Sequence, residues 1–330
     1  MKKVNIAIVG ATGLVGQTFL KVLKEQDFQI EQLYLLASSR SVGKQIEFDG
    51  KCYTVEELNE DSFNKEIDIA LFSAGASISK QYAPIAASHG IRVIDNSSAW
   101  RMNDDIPLIV PEVNASVLKS SDYIIANPNC STIQCVLPLK VLHDAYRIKR
   151  IVYSTYQAVS GSGIKGLNDL ERGLVGEEPV FYPHPIAYNC LPHIDDFLEN
   201  GYTREEMKMI NETRKILGDK TLQITATTVR VPVKFGHSIS INVEFEHPFE
   251  LENVFNQLKQ TKGIIVVDDL NDPNYPTARE VEGKDEVFVG RIRRDFSIPN
   301  GLNLWVVADN IRKGAATNAV QIAKYLLTSL

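Results

Sequence analysis

The chain has 330 residues, 44% hydrophobic and 23% charged, with a formal net charge of −6. This is the composition of a globular protein long enough for two cores, and no apolar run approaches the roughly 20 residues of a membrane-spanning helix. Lysines and arginines are scattered rather than massed, so nothing suggests a nucleic-acid surface and anionic ligands are left to individually placed cations.

The N-terminus places two lysines before an apolar stretch, as a signal peptide would, but that stretch breaks at Asn5 and runs into a glycine turn. It therefore reads as a strand, and the protein is expected in the cytoplasm. Val4–Val9, Gln32–Ala37, Ile67–Phe72, Ile91–Asp95 and Tyr123–Ala126 follow as short strands, several apolar on both faces. Helical patterns at Leu14–Lys24 and Ser79–Ser88 lie between them. That alternation predicts an α/β, doubly wound Rossmann-type domain with a parallel sheet.

After about residue 150 the strands lengthen and alternate: Ile151–Gln157, Leu222–Val233, Ser238–Glu246, Val287–Arg294 and Leu302–Ala308. They predict an α+β domain with an antiparallel or mixed sheet. A helix over Thr203–Leu217 opens on the capping box Thr203-x-x-Glu206. A last helix, about Ala315–Leu327, is expected to return to the first domain. The expected division is residues 1–129 with about 311–330 for dinucleotide binding, and 130–310 for catalysis and dimerisation.

Gly10-Ala-Thr12-Gly13-Leu14-Val15-Gly16 follows the first strand and opens the first helix. Glycines there allow a tight turn and close approach of backbone N–H groups to a pyrophosphate, whose charge the helix dipole favours. An NAD site would place a carboxylate after the second strand. This chain has Ala37-Ser-Ser39-Arg40-Ser41 instead, hydroxyls and a guanidinium suited to a 2′-phosphate, so NADP(H) is the expected cofactor.

Four cysteines, at 52, 130, 135 and 190, have no metal-binding spacing and form no disulfide framework in a reducing compartment. Cys130 stands in Asn127-Pro-Asn-Cys130-Ser-Thr, between a strand and a helix reaching roughly Leu142. The free N–H groups and dipole of a first helical turn stabilise a thiolate there, and could hold an oxyanion on an attacked carbonyl. Cys135 lies among Ile133, Val136 and Leu137 and reads as an inert core residue. Cys190 has His193 nearby in sequence, which does not by itself make a catalytic pair.

Six stretches occur together and in order: Gly10–Gly16, Asn96-Ser-Ser-Ala-Trp-Arg101, Asn127–Thr132, Gln157-Ala-Val-Ser-Gly161, Arg230-Val-Pro-Val-x-x-Gly-His237-Ser and Leu304–Ala316. In this the chain closely resembles the aspartate-β-semialdehyde dehydrogenases over nearly its whole length. The resemblance implies that Cys130 carries an acyl thioester, that Gln157 orients the acyl group, and that His237 is the acid/base. It implies that Arg230 binds the substrate carboxylate, Glu212 the substrate amine, and Arg101 and Lys215 the phosphate. Ser160, Gly161 and Asn318 match positions near the nicotinamide.

By local pattern alone, Glu212 and Lys215 are an i,i+3 pair on a solvated helix face. The sequence around them leaves Arg214 as a second candidate for phosphate. Trp100 stands where many relatives carry phenylalanine. The reaction implied is NADP-dependent reduction of L-4-aspartyl phosphate to L-aspartate 4-semialdehyde, by a homodimer without metal, in the biosynthesis of lysine (through diaminopimelate), threonine and methionine. Two alternatives are N-acetyl-γ-glutamyl-phosphate reductase, whose nucleophile motif reads Pro-Gly-Cys-Tyr, and an inactive dinucleotide-binding relative, which would be expected to lose the thiol, histidine or arginine.

Overall fold

A computed structural model describes residues 3–329. Its contacts divide the described chain into two compact units: residues up to Asn129 with those from Ala315 onward, and Cys130–Gly314.

In the first unit, β1 (Val4–Val9) leads into α1 (Leu14–Glu25), β2 (Ile30–Ala37), β3 (Gln45–Phe48) and β4 (Lys51–Glu57). Then come β5 (Ile69–Phe72), α2 (Ala76–Ser88), β6 (Arg92–Asp95), the short α3 (Pro111–Asn114) and β7 (Ile124–Ala126). The strand order is β3-β4-β2-β1-β5-β6-β7, parallel except where β3 meets β4. The sheet is covered on both faces, which is why its strands read as apolar runs. Ile6 and Ile8 pack with Phe19 and Leu23 of α1 and with Val320 and Leu326 near the C-terminus. Ala7 and Val9 face Ala83 and Ala86 of α2. The order reverses across β1, so the glycine loop after it opens at the switch point where such sheets bind ligands.

The β3–β4 hairpin was not expected from strand periodicity. Its connection is Asp49-Gly50, both at positive φ, and that dipeptide is a strong short-range hairpin signal.

The second unit begins with α4 (Cys130–Tyr146) and β8 (Ile148–Gln157), followed by α5 (Gly163–Leu174), α6 (Arg204–Leu217), β9 (Gln223–Arg230) and β10 (His237–Phe245). Next are α7 (Leu251–Gln260), β11 (Ile264–Val266), the short α8 (Ala278–Val281), β12 (Val287–Asp295) and β13 (Gly301–Ala308). The sheet is mixed, in the order β11-β12-β13-β10-β8-β9, with β8–β9 and β11–β12 parallel and the other pairs antiparallel. Buried and part-exposed residues alternate along β8 and β10, so one face is covered and the other open. The predicted capping box is present: Thr203 Oγ1 accepts from Glu206 N, and Glu206 returns the bond to Thr203 N.

Several boundaries differ from expectation by a few residues, and two of these have a clear local cause. β9 stops at Arg230, because Pro232 has no N–H with which to continue the ladder. The last helix, α9 (Thr317–Ser329), starts later than expected because a π-helical turn, Arg312–Ala316, precedes it.

Candidate active site

Three adjacent strands bring the central residues of the second unit together. β8 and β9 are parallel, with Gln157 paired to Arg230 at their carboxyl ends. β10 runs antiparallel to β8, with Ser238 opposite Tyr156, so its first residue, His237, lies at that same end. Residues separated by 80 positions of sequence thus converge through register alone.

The backbone of Ala158 orients two of these groups through its N–H and its carbonyl. Its carbonyl accepts from Arg230 Nη1 at 2.7 Å, and its N–H donates to His237 Nδ1 at 3.0 Å. An Nδ1 that accepts leaves the proton of the neutral ring on Nε2. Nε2 is buried and has no partner. Burial, and then the Arg230 charge, hold the His237 pKa well below the usual 6.5. The ring is therefore neutral near pH 7 and offers an N–H donor into the site. Arg230 likewise keeps a buried Nε without a partner.

Gly161 follows in the turn Val159–Ser162. A Cβ built there would stand 2.8 Å from Arg230 Nη1 and 3.4 Å from both Cε1 and Nε2 of His237. Gly161→Ala is expected to push the guanidinium off the Ala158 carbonyl and raise KM at least about tenfold, roughly 1.4 kcal/mol of lost binding. Steady-state kinetics check this, and an unchanged KM would contradict it. Ser160 is buried and bonded to Asn310, whose Oδ1 also accepts from Gly236 N.

Cys130 is the first residue of α4, whose opening turn carries no acidic side chain. The dipole of that helix end favours an anion. The thiol is half-buried, and glycine is needed at 314, where a Cβ would come within 2.9 Å of Cys130 Cβ. One turn on, the fully buried Gln134 donates through Nε2 to the carbonyls of His237 at 3.0 Å and Val306 at 3.3 Å. This bond ties the cysteine's helix to the histidine's strand. Sequence reasoning missed Gln134, since a polar residue in an apolar helix was its only signal. Cys135 is fully buried, and burial followed by the Cys130 charge pushes its pKa well up.

The reading of Glu212 as solvated is corrected: it is 1% exposed. Its helix packs against both β9 and α4, so the face polar in sequence is not a free surface. Lys215 is half-buried on the same helix, and Arg214 donates through Nε to the Leu222 carbonyl at 3.0 Å.

In the first unit, Gly13 caps α1 without a side-chain bond, and the first turn of α1 has no acidic residue. A Cβ at Gly16 would lie 2.2 Å from the Gly10 carbonyl oxygen, so the loop folds this tightly only with glycine there. Leu14 and Val15 are half-buried. Thr12 Oγ1 lies 3.3 Å from Ser41 Oγ, joining the glycine loop to the turn Ser39–Ser41. Ser39 and Arg40 are exposed in that turn. This cradle fits a dinucleotide, with N–H groups for the pyrophosphate and hydroxyls and a cation after β2.

Arg101 is buried and donates to the Asn96 carbonyl at 2.9 Å. Burial raises the nearby Asp95 carboxyl, against the opposing bonds from Ser97 and Ser79 and the Arg101 charge. Asn127 donates to Asn96 Oδ1 at 2.7 Å, and Asn318 donates to Asn127 Oδ1 at 2.7 Å and to the Ile109 carbonyl at 2.9 Å. Asn318 is thus a buried tie at the carboxyl ends of β6 and β7.

Residues 5–121 match the family described as semialdehyde dehydrogenase, NAD binding domain, and residues 139–313 match semialdehyde dehydrogenase, dimerisation domain. An aspartate-semialdehyde dehydrogenase of Aquifex aeolicus is 55% identical, with 98% of each chain covered. One from Legionella pneumophila is 53% identical over 98% of this chain and 96% of its own. Among solved structures, aspartate semialdehyde dehydrogenase II of Vibrio cholerae complexed with ASA is 48% identical, with a TM-score of 0.96, covering 100% of this chain and 99% of its own. The Candida albicans enzyme with NADP has 26% identity and a TM-score of 0.78, with 99% of each chain covered.

Proposed function

We propose that this chain, which belongs to the aspartate-semialdehyde dehydrogenase family, interconverts L-4-aspartyl phosphate and L-aspartate 4-semialdehyde through a thioester on Cys130, with NADP(H) as hydride carrier. The observation that carries the reading is the convergence of Gln157, Arg230 and His237 at one end of three adjacent strands, in a unit whose first helix opens on Cys130.

The Cys130 thiolate attacks the acyl carbon, the acyl–oxygen bond breaks, and the departing phosphate takes up the proton that the overall reaction consumes. Bound NADPH supplies the hydride that reduces the thioester to a thiohemiacetal oxyanion. Collapse of that oxyanion frees the aldehyde and restores the Cys130 thiolate. His237, neutral with its proton on Nε2, donates a hydrogen bond to the acyl oxygen as charge grows there, and the α4 N-terminus acts in the same sense. Arg230 holds the α-carboxylate, Glu212 the ammonium, and Gln157 orients the acyl group. Arg101 and Lys215 receive phosphate.

The dinucleotide is held by the Gly10–Gly16 loop, and Ser39 and Arg40 select the 2′-phosphate. Ser160, Gly161 and Asn318 belong to the nicotinamide end, with Ser160 and Asn318 acting as buried supports. The division of labour follows the two units: dinucleotide binding by the first, catalysis by the second. A reduced Cys130 is needed throughout, which suits the cytoplasm. A homodimer is supported by the dimerisation domain matched at residues 139–313. We assign it to the open sheet face, where the Tyr156 and Trp305 rings lie 5.6 Å apart. The reaction serves the biosynthesis of lysine, threonine and methionine.

Phosphate-dependent NADP reduction tests the reading. Aspartate semialdehyde is expected to exceed N-acetylglutamate semialdehyde in kcat/KM by at least about 100-fold, because an acylated amine cannot pair with Glu212. Preference for the acetylated substrate would overturn it.

A further inference from the structure

Gln157 is 1% exposed, and its carboxamide nitrogen has two partners: Thr155 Oγ1 at 3.3 Å and Glu205 Oε1 at 3.3 Å. Glu205 stands in the first turn of α6, where a carboxylate commonly does no more than meet the helix dipole from solvent. This one is 5% exposed. Its other oxygen receives Lys208 Nζ at 3.1 Å, and Lys208 also reaches Asp195 Oδ2 at 2.6 Å. Burial lowers the Lys208 pKa, but Glu205 and Asp195 outweigh it and leave the ammonium more firmly protonated than usual.

A carboxylate paired in this way accepts hydrogen bonds and has none to give. An amide beside it can turn only its nitrogen that way. The oxygen of Gln157, the end that could otherwise change places with the nitrogen, is then the end left for a ligand. We propose that Glu205 is a positioning residue for the reaction: backed by Lys208, it fixes the Gln157 carboxamide in the single orientation that meets the acyl substrate. This rests on Gln157 touching that substrate, as proposed above. Without the carboxylate the bond that favours this orientation is lost, and an amide at position 205 can donate to the Gln157 oxygen and hold the unproductive orientation instead.

A double-mutant cycle tests it, in the full-length enzyme with aspartate semialdehyde, phosphate and NADP. Glu205→Gln is expected to lower kcat/KM by roughly 10-fold or more, since the new amide can face Gln157 with either end. Gln157→Ala is expected to lose at least as much. In the Gln157→Ala background, Glu205→Gln should then cost less than about twofold, because nothing remains to be oriented. An equal loss in both backgrounds would mean a structural role for Glu205 and overturn the proposal while leaving Gln157 in place. Full activity of Gln157→Ala would overturn the role of Gln157 and the proposal with it.

Lys208→Met keeps the proposal open to test should Glu205→Gln fail to fold. Losing the ammonium makes Glu205 easier to protonate, and a protonated carboxyl can donate and so tolerate the wrong amide orientation. The acid limb of kcat/KM should therefore move to higher pH in Lys208→Met. A limb that stays in place would overturn the proposal.

Discussion

Replacing Cys130 with alanine is expected to lower turnover of aspartate semialdehyde by roughly 10⁴-fold or more, while NADP(H) binding stays within about twofold. The loss is that large because the substitution removes the bond-forming atom itself. What remains is a pocket that can bind substrate but has nothing to carry the acyl group between phosphate and hydride. The substitution should fold, since Cys130 is half-buried at a helix start and alanine is smaller. Dinucleotide binding belongs to the glycine loop of the other unit and serves as the internal control. Cys135→Ala is the matched comparison: that thiol is fully buried with its pKa pushed up, so its loss should leave kcat near the starting value. Turnover by Cys130→Ala above about 1% of the parent rate would sink the thioester scheme.

Replacing His237 with alanine is expected to lower kcat by roughly 10²- to 10⁴-fold, with KM changing less. The substitution removes a donor aimed at the charge that develops on the acyl oxygen, an interaction stronger in the transition state than in the bound substrate. The pH dependence distinguishes how His237 works. With the Ala158 N–H on Nδ1, the imidazolium would set two N–H groups against each other, and burial with the Arg230 charge opposes protonation further. The wild-type rate should therefore show no ionisation near 6.5 that disappears in His237→Gln. Such an ionisation would instead make His237 a proton shuttle.

The same shift sets a stability trend. The unfolded histidine takes up a proton below about pH 6.5 and the folded one does not. Its contribution to stability is therefore complete above that value and is lost as pH falls toward the lower folded pKa. Urea unfolding at pH 7 and pH 5 should show a smaller drop in His237→Gln than in the parent.

Much of the fold could be read locally. Apolar runs of strand length, the glycine turn after Val9 and the capping box at Thr203 are set by neighbours within a few residues, where periodicity and turn chemistry act. The position of Cys130 at a helix start belongs to the same class, because a short strand, Pro128 and Asn129 precede it. The hairpin at Asp49-Gly50 is equally local, but its strands are polar and largely exposed and so carry no apolar run.

The candidate site is different in kind. Gln157, Arg230 and His237 meet only because β8 pairs in parallel with β9 and antiparallel with β10. Register between distant strands is a tertiary choice, made by packing one sheet face and not by any local signal. The six ordered motifs named these residues by resemblance, but resemblance says nothing of what each side chain touches.

The sequence by itself therefore determined the strands, the glycine turn after the first of them and the helix start at which Cys130 stands, since each follows from chain-local geometry. Tertiary structure alone decided the tautomer of His237, the burial of Glu212 and the tie between Glu205 and Gln157. Each depends on which backbone or carboxylate from a remote segment is pressed against the group. In a buried site, that neighbour dictates both charge and orientation.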